Sequence, residues 1–172
     1  MVLQGGTQAN INGQIFERHI ITQLEDKGLT VINSKEMDKI MRHNDWPSLI
    51  NELYPGGVII KGRNYYKSIY NNPRCFSEYR IFKDDLYFRL ECKWQQGAGS
   101  VSEKIPYFYM NFIENNFPEP MCVFVHGGDA IIPAVTWLKE AWNNKLYVKD
   151  NFTKDLKILN LDQFMAWSNK EF

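Results

Sequence analysis

The sequence predicts a single α/β domain, a mixed β-sheet flanked by helices, and three observations carry that expectation. Residues 74–83 and 86–95 are two extended runs joined by a tight turn at Lys83-Asp84-Asp85. The second alternates with a period of two, the period of a strand, and the pair reads as a β-hairpin. A helical stretch at 13–27 precedes the hairpin, and a second one separates it from an apolar run at 121–126 that ends at Gly127-Gly128. Helices interleaved with strands bury one sheet between helical layers. The 172 residues are 44% hydrophobic and 15% aromatic, which supplies one core spanning 1–172 and excludes a disordered chain.

The first element is a helix over 13–27, closed by Gly28 as its C-cap. At about 100° per residue, Phe16, Ile20, Ile21 and Leu24 form one apolar arc. Glu17 falls inside that arc, where an edge position lets its carboxylate reach solvent or pair with a base. Residues 29–33 read as a short strand. Residues 34–54 read as irregular and helical pieces, interrupted at Trp46-Pro47 and at Pro55-Gly56-Gly57, and residues 58–61 as another strand. In the second run of the hairpin Leu86, Phe88, Leu90, Cys92 and Trp94 take one face, and Tyr87, Arg89, Glu91, Lys93 and Gln95 the other. Glu91 and Lys93 are therefore neighbours. A loop at 97–100 leads into a helix over 103–115 that tolerates Pro106 only near its first turn. A buried strand at 121–126, a helix at 133–143, a strand at 157–161 and a helix at 161–167 complete the chain.

Basic and acidic residues both number 20, so the formal charge is zero and no global field gathers polyanions. The distribution is uneven. Between positions 61 and 80, Lys61, Arg63, Lys67, Arg74 and Arg80 face only Glu78, a local balance of +4. Tyr65, Tyr66, Tyr70, Phe76 and Tyr79 share that window. Cations mixed with rings suit phosphates and exposed bases, and suit equally a tyrosine-rich loop packed on the domain. Cys75, Cys92 and Cys122 stand apart with no C-x-x-C spacing, which argues against a structural zinc site and a disulfide framework. The polar N-terminus does not read as a signal peptide, and no apolar run approaches the roughly 18 to 20 residues of a membrane span. The expected setting is a reducing cytoplasm, without a membrane partner.

The pattern acid-x-lysine occurs three times, at Glu25-Asp26-Lys27, Glu91-Cys92-Lys93 and Asp155-Leu156-Lys157. Only Glu91 and Lys93 stand side by side on a strand. Glu78, on the other strand of the hairpin, lies across from Glu91 if the short turn sets the register. Two carboxylates with no nearby imidazole or thiol form a hard-oxygen site, which favours Mg²⁺ with Mn²⁺ as its substitute. The Cys92 side chain points to the opposite face, so only its carbonyl can join them. With Lys93 to position or deprotonate a water, these are the parts for phosphodiester hydrolysis. The same residues also make an ordinary ion pair between Lys93 and Glu78 or Glu91, worth about 0.2 to 1 kcal/mol at a surface. His19, His43 and His126 do not cluster and read as structural or solvent-facing.

These residues resemble the PD-(D/E)XK nuclease superfamily, the fold of restriction endonucleases and Holliday-junction resolvases, over most of the chain. Asn12-Gly13-Gln14-Ile15-Phe16-Glu17-Arg18 resembles its opening helix, whose glutamate points into the active site. Ser77-Glu78 stands at the first acidic motif, and Leu90-Glu91-Cys92-Lys93-Trp94-Gln95 resembles the second with its trailing glutamine. The 99–107 stretch, the Phe124-Val125-His126-Gly127-Gly128 turn and Trp137-Leu138-Lys139 are similar to a phage-associated or restriction-enzyme-like branch. Two departures are Ser-Glu in place of Pro-Asp and a long segment from Ser34 to Tyr70 before the hairpin.

The resemblance implies a restriction-endonuclease-like core and a Mg²⁺-dependent DNA endonuclease. Glu78 and Glu91 would bind metal with the Cys92 carbonyl, Lys93 would be catalytic, and Gln95 and Glu17 would support the site. Lys61, Arg63, Tyr65, Lys67, Tyr70, Arg74, Arg80 and Lys104 are the candidate DNA contacts, most of them in a variable segment at about 34–75. The alternative is a catalytically silent nucleic-acid-binding or assembly subunit with the same fold, and an RNA-directed enzyme is a third reading. A homodimer would match a palindromic target.

Overall fold

Glycine, proline and capping side chains set the element boundaries. The computed structural model describes residues 5–97 and 99–172, with side chains from residue 11 onward; residue 98 of the expected 97–100 loop and residues 1–4 lie outside the described residues. Helix α1 (Gly5–Glu25) starts well before the expected residue 13. Its first turns carry mostly small and polar residues, so no apolar stripe reports them. Beyond its end Gly28 takes φ +88°, a left-handed conformation open to glycine without a Cβ penalty. Strand β1 (Thr30–Asn33) runs directly into α2 (Ser34–Ile40), where the Asn33 side chain accepts a hydrogen bond from the Glu36 amide at 2.9 Å. Helix α3 (Trp46–Leu53) carries its proline in the first turn. The two helices bury Met37, Ile40 and Ile50 against Ile32, Val58 and Ile60. The first half of the expected 34–75 contact segment is thus a packed helical layer.

Strand β2 (Val58–Tyr66) is longer than the expected 58–61 because its pairing register shifts between Lys61 and Asn64. One extra residue there, beside Gly62 at φ +129°, interrupts the alternation by which a strand is recognised. Strands β3 (Cys75–Lys83) and β4 (Leu86–Trp94) form the expected hairpin, closed at Lys83↔Leu86 with Asp84 at φ 52°. Then follow α4 (Lys104–Ile113), β5 (Met121–Gly127), α5 (Ile132–Asn143), β6 (Asp155–Asn160) and α6 (Leu161–Glu171).

The six strands lie in one mixed sheet in chain order. β1 and β2 are parallel, β2, β3 and β4 antiparallel, and β4, β5 and β6 parallel. Phe16, Ile20 and Leu24 of α1 and Phe164 of α6 pack on Ile81, Phe88, Leu90 and Val125. Phe108 and Phe112 of α4 and Leu138 of α5 pack on Phe124 and Leu156. This is the α/β, restriction-endonuclease-like arrangement expected. Among the described residues, no helix is long and apolar enough to cross a membrane.

Candidate active site

Strands β3 and β4 separate where the acids lie. Their ladder runs from Lys83↔Leu86 to Tyr79↔Leu90, beyond which β3 stays with β2 as far as Tyr66↔Cys75 and β4 stays with β5 as far as Trp94↔Gly127. Glu78 and Glu91 are the next residues on either side of the opening. A cavity of about 140 Å³ occupies the fork, lined by Glu17, Glu78, Glu91, Cys92 and Lys93. A wider cleft of about 770 Å³ opens nearby, and Arg18, Lys61 and Lys104 line it together with Glu17, Glu78 and Lys93. Arg18 and the expected Glu17 follow from one fact, that the first helix packs its edge across the fork; sequence reasoning had no periodic signal for Arg18.

Within the fork, the Lys93 ammonium donates to Glu91 Oε2 at 3.0 Å and to the Cys92 carbonyl at 3.3 Å. Burial is the largest single influence and works to lower the Lys93 pKa, but the charge and hydrogen bond of Glu91, joined by the neighbouring Cys92 and Glu17, together hold the amine above its ordinary value. Lys93 is therefore an ammonium in this state, a charge and a donor rather than a base. Glu17 is pushed up from 4.5 to about 7, first by burial, then by the negative charge of Glu78 and a hydrogen bond with it; Lys93 and the Tyr79 hydroxyl pull the other way. Tyr79 donates to Glu17 Oε2 at 3.5 Å. The Cys92 side chain packs in the core with Phe16 and Ile20, and burial pushes its thiol well up. Its carbonyl is what the fork receives.

The structure does not bring Gln95 into the fork. Its amide donates to the carbonyls of Gly97 and Gly99 at 3.1 and 3.0 Å, and its oxygen accepts from the Ser102 amide and hydroxyl, both at 2.9 Å. Gln95 secures the loop that leads to Lys104. Nor does it expose Arg80, which is corrected from a DNA contact to a buried group. Arg80 Nε donates to Asn64 Oδ1 at 2.7 Å and Nη1 to the Tyr87 hydroxyl at 3.3 Å. The other candidate contacts, Lys61, Arg63, Tyr65, Lys67, Tyr70, Arg74 and Lys104, are exposed.

A buried polar network behind the fork was not anticipated. Arg89, fully enclosed, donates from Nε and Nη2 to the two Glu119 oxygens at 2.8 and 3.1 Å. Its guanidinium lies over the Phe117 ring at 4.6 Å and donates to Ser77 Oγ and the Asn64 carbonyl. Asn64 Nδ2 in turn donates to the Glu78 carbonyl at 3.0 Å. The network thus grips β3 on both sides of the Ser77-Glu78 bond. The one signal available was Arg89 on the same strand face as Glu91.

His19 and His43 are exposed, and His126 is buried, pushed down to about 4 by burial and then by Lys139. None enters the fork. A family model described as a PD-(D/E)XK nuclease superfamily domain matches residues 8–172. The chain belongs to that superfamily. Searches of curated proteins and of solved structures found no match. Among the described residues, no three His, Cys, Asp or Glu side chains form a metal-holding group. The superfamily generally uses divalent metals, and the donors at hand here are two carboxylates and one carbonyl. Such an incomplete oxygen set suits a hard divalent cation that keeps positions for water.

Proposed function

We propose that this superfamily member is a Mg²⁺-dependent DNA endonuclease, of restriction-enzyme-like or phage type, with Mn²⁺ able to substitute. The single observation that carries the reading is the fork, where Glu78 and Glu91 flank one cavity and Lys93 stands against Glu91. Glu78, Glu91 and the Cys92 carbonyl would hold the ion, which when bound supplies Lewis-acid polarisation of the phosphodiester. Lys93 then has the work its charge permits, placing an ammonium beside the phosphate and stabilising the negative charge that develops there. Glu17, raised to about 7, is protonated in about half of the molecules at neutral pH, and the proton it takes up reduces the repulsion between its own carboxyl and Glu78. Lys61, Arg18 and Lys104 supply positive charge around the cleft for the DNA backbone.

The test is cleavage of plasmid and oligonucleotide DNA over a Mg²⁺ or Mn²⁺ titration. Wild-type chain should cut, and Glu91→Ala and Lys93→Ala should each lose about 100-fold or more in rate while keeping the wild-type melting temperature within a few degrees. Undiminished cutting by both variants would refute the assignment. Intact DNA under every condition, with binding retained, would favour the silent subunit.

A further inference from the structure

Past the fork, β2 and β3 continue as a two-stranded arm whose two faces differ. On one face Tyr66 packs edge-on against Phe117 at 4.8 Å, and the Cys75 thiol meets the Tyr107 hydroxyl at 3.5 Å. On the other face Tyr65 and Phe76, paired in register, are 53% and 46% exposed. Their rings meet edge to face at 6.1 Å, and the Arg63 guanidinium lies over Phe76 at 5.7 Å. Tyr65 and Phe76 thus keep about half of their surface in water, and Arg63 is exposed beside them. Phe76 also borders the fork cavity beside Glu78. An exposed aromatic pair with a cation beside it therefore adjoins the proposed reaction centre.

We infer that this face is a stacking platform for unpaired bases, and that the preferred substrate is DNA with a single-stranded segment next to the cut, such as a fork or flap. The inference rests on the nuclease reading for the position of the cut. A ring stacks on any base whose face is free, whereas the bases of an intact duplex present only their edges in the grooves. The surrounding charge complements a strand: Lys61, Arg63, Lys67 and Arg74 are all exposed along this arm and its connection. A purely phosphate-binding surface would need those cations and would have no use for Tyr65 and Phe76 in water. The platform would hold the strand leaving the duplex and so set the scissile phosphate at the fork between β3 and β4.

The experiment measures binding of labelled forked and blunt DNA of one sequence, in Ca²⁺ without Mg²⁺ or Mn²⁺, with 2-aminopurine placed in the unpaired arm beside the junction. Wild-type chain should prefer the fork by about tenfold and quench the 2-aminopurine, because each stacked base contributes a free energy of that order. The double variant Tyr65→Ala/Phe76→Ala should lose both effects, and Tyr65→Phe/Phe76→Tyr should keep both. Equal affinity for fork and blunt duplex, or an unchanged preference in the alanine variant, would overturn the inference, as would tighter binding of forked RNA than of forked DNA. Cleavage of blunt plasmid with no ring-dependent preference removes the platform and leaves the nuclease. Ring-dependent fork binding with no cleavage in Mg²⁺ or Mn²⁺ removes the nuclease and leaves the platform.

Discussion

Glu17 carries the most displaced acid in the fork, and its displacement has a sign that stability can read. Its carboxyl titrates near 7 in the folded chain against 4.5 ordinarily. A raised pKa means that the folded state binds the proton more tightly, so this group's contribution is fully present below the ordinary pKa and is lost as pH rises through the folded one. Glu17→Gln keeps a neutral side chain at every pH. In metal-free buffer it should melt above wild type at about pH 8, with the gap narrowing as pH falls toward about 4.5. A variant that melts below wild type at the alkaline end would show that the ionised acid is stabilised in the fork, contrary to its surroundings. Lys93 stays charged across this range, since Glu91 holds its pKa up. Both residues were legible in the sequence for simple reasons: Glu17 interrupts an apolar helical arc, and Lys93 shares a strand face with Glu91. Gln95 was misplaced because strand alternation gives a direction only while the strand lasts, and β4 ends at Trp94.

At the scale of elements, the fork exists because β3 leaves β4, and the buried network sits at that departure. Glu119 is its only buried carboxylate, with the Arg89 guanidinium on both of its oxygens. Glu119→Ala strands a buried cation, and chemical denaturation should show a loss of about 3–5 kcal/mol. The double variant Arg89→Met/Glu119→Leu should lose less than Glu119→Ala alone, because the Arg89 charge is then not left buried without its partner, while Arg80, 4.0 Å from Glu119, keeps Asp38 at 3.9 Å in both variants. A milder single than double variant would mean that the guanidinium reaches water. The hairpin, β5 and the core of α1 could be read in advance, since each keeps one hydrophobic period from end to end. The second half of β2 could not, because the bulge between Lys61 and Asn64 breaks its period. The start of α1 could not either, since a helix turn without an apolar stripe looks like a loop. Helices α2 and α3 read only as irregular and helical pieces because Trp46-Pro47 and Pro55-Gly56-Gly57 interrupt the stretch, and it is Met37, Ile40 and Ile50 that seat them on β1 and β2.

For the whole molecule, the formal charge is zero, so any affinity for DNA must come from where the cations stand rather than from how many there are. The sequence located the cationic window but could not tell its exposed members from its buried one. Arg80 looks like its neighbours until the fold brings Asn64, Tyr87 and Glu119 around it; Asn64 lies on β2 and Glu119 just before β5, and no local pattern announces them. The distinction has a measurable consequence. Each phosphate contact releases counterions, so removing one makes the logarithmic dependence of affinity on salt shallower by about one. Lys61→Ala and Lys104→Ala, both at the cleft, should each reduce the slope by about that amount and leave stability within about 0.5 kcal/mol. Arg80→Ala should do the reverse, leaving the slope unchanged while the unfolding midpoint falls, because Asn64 loses the donor that holds it against Glu78. A shallower slope at unchanged stability for Arg80→Ala would place that guanidinium on a phosphate, and the buried network would then have to open when DNA binds.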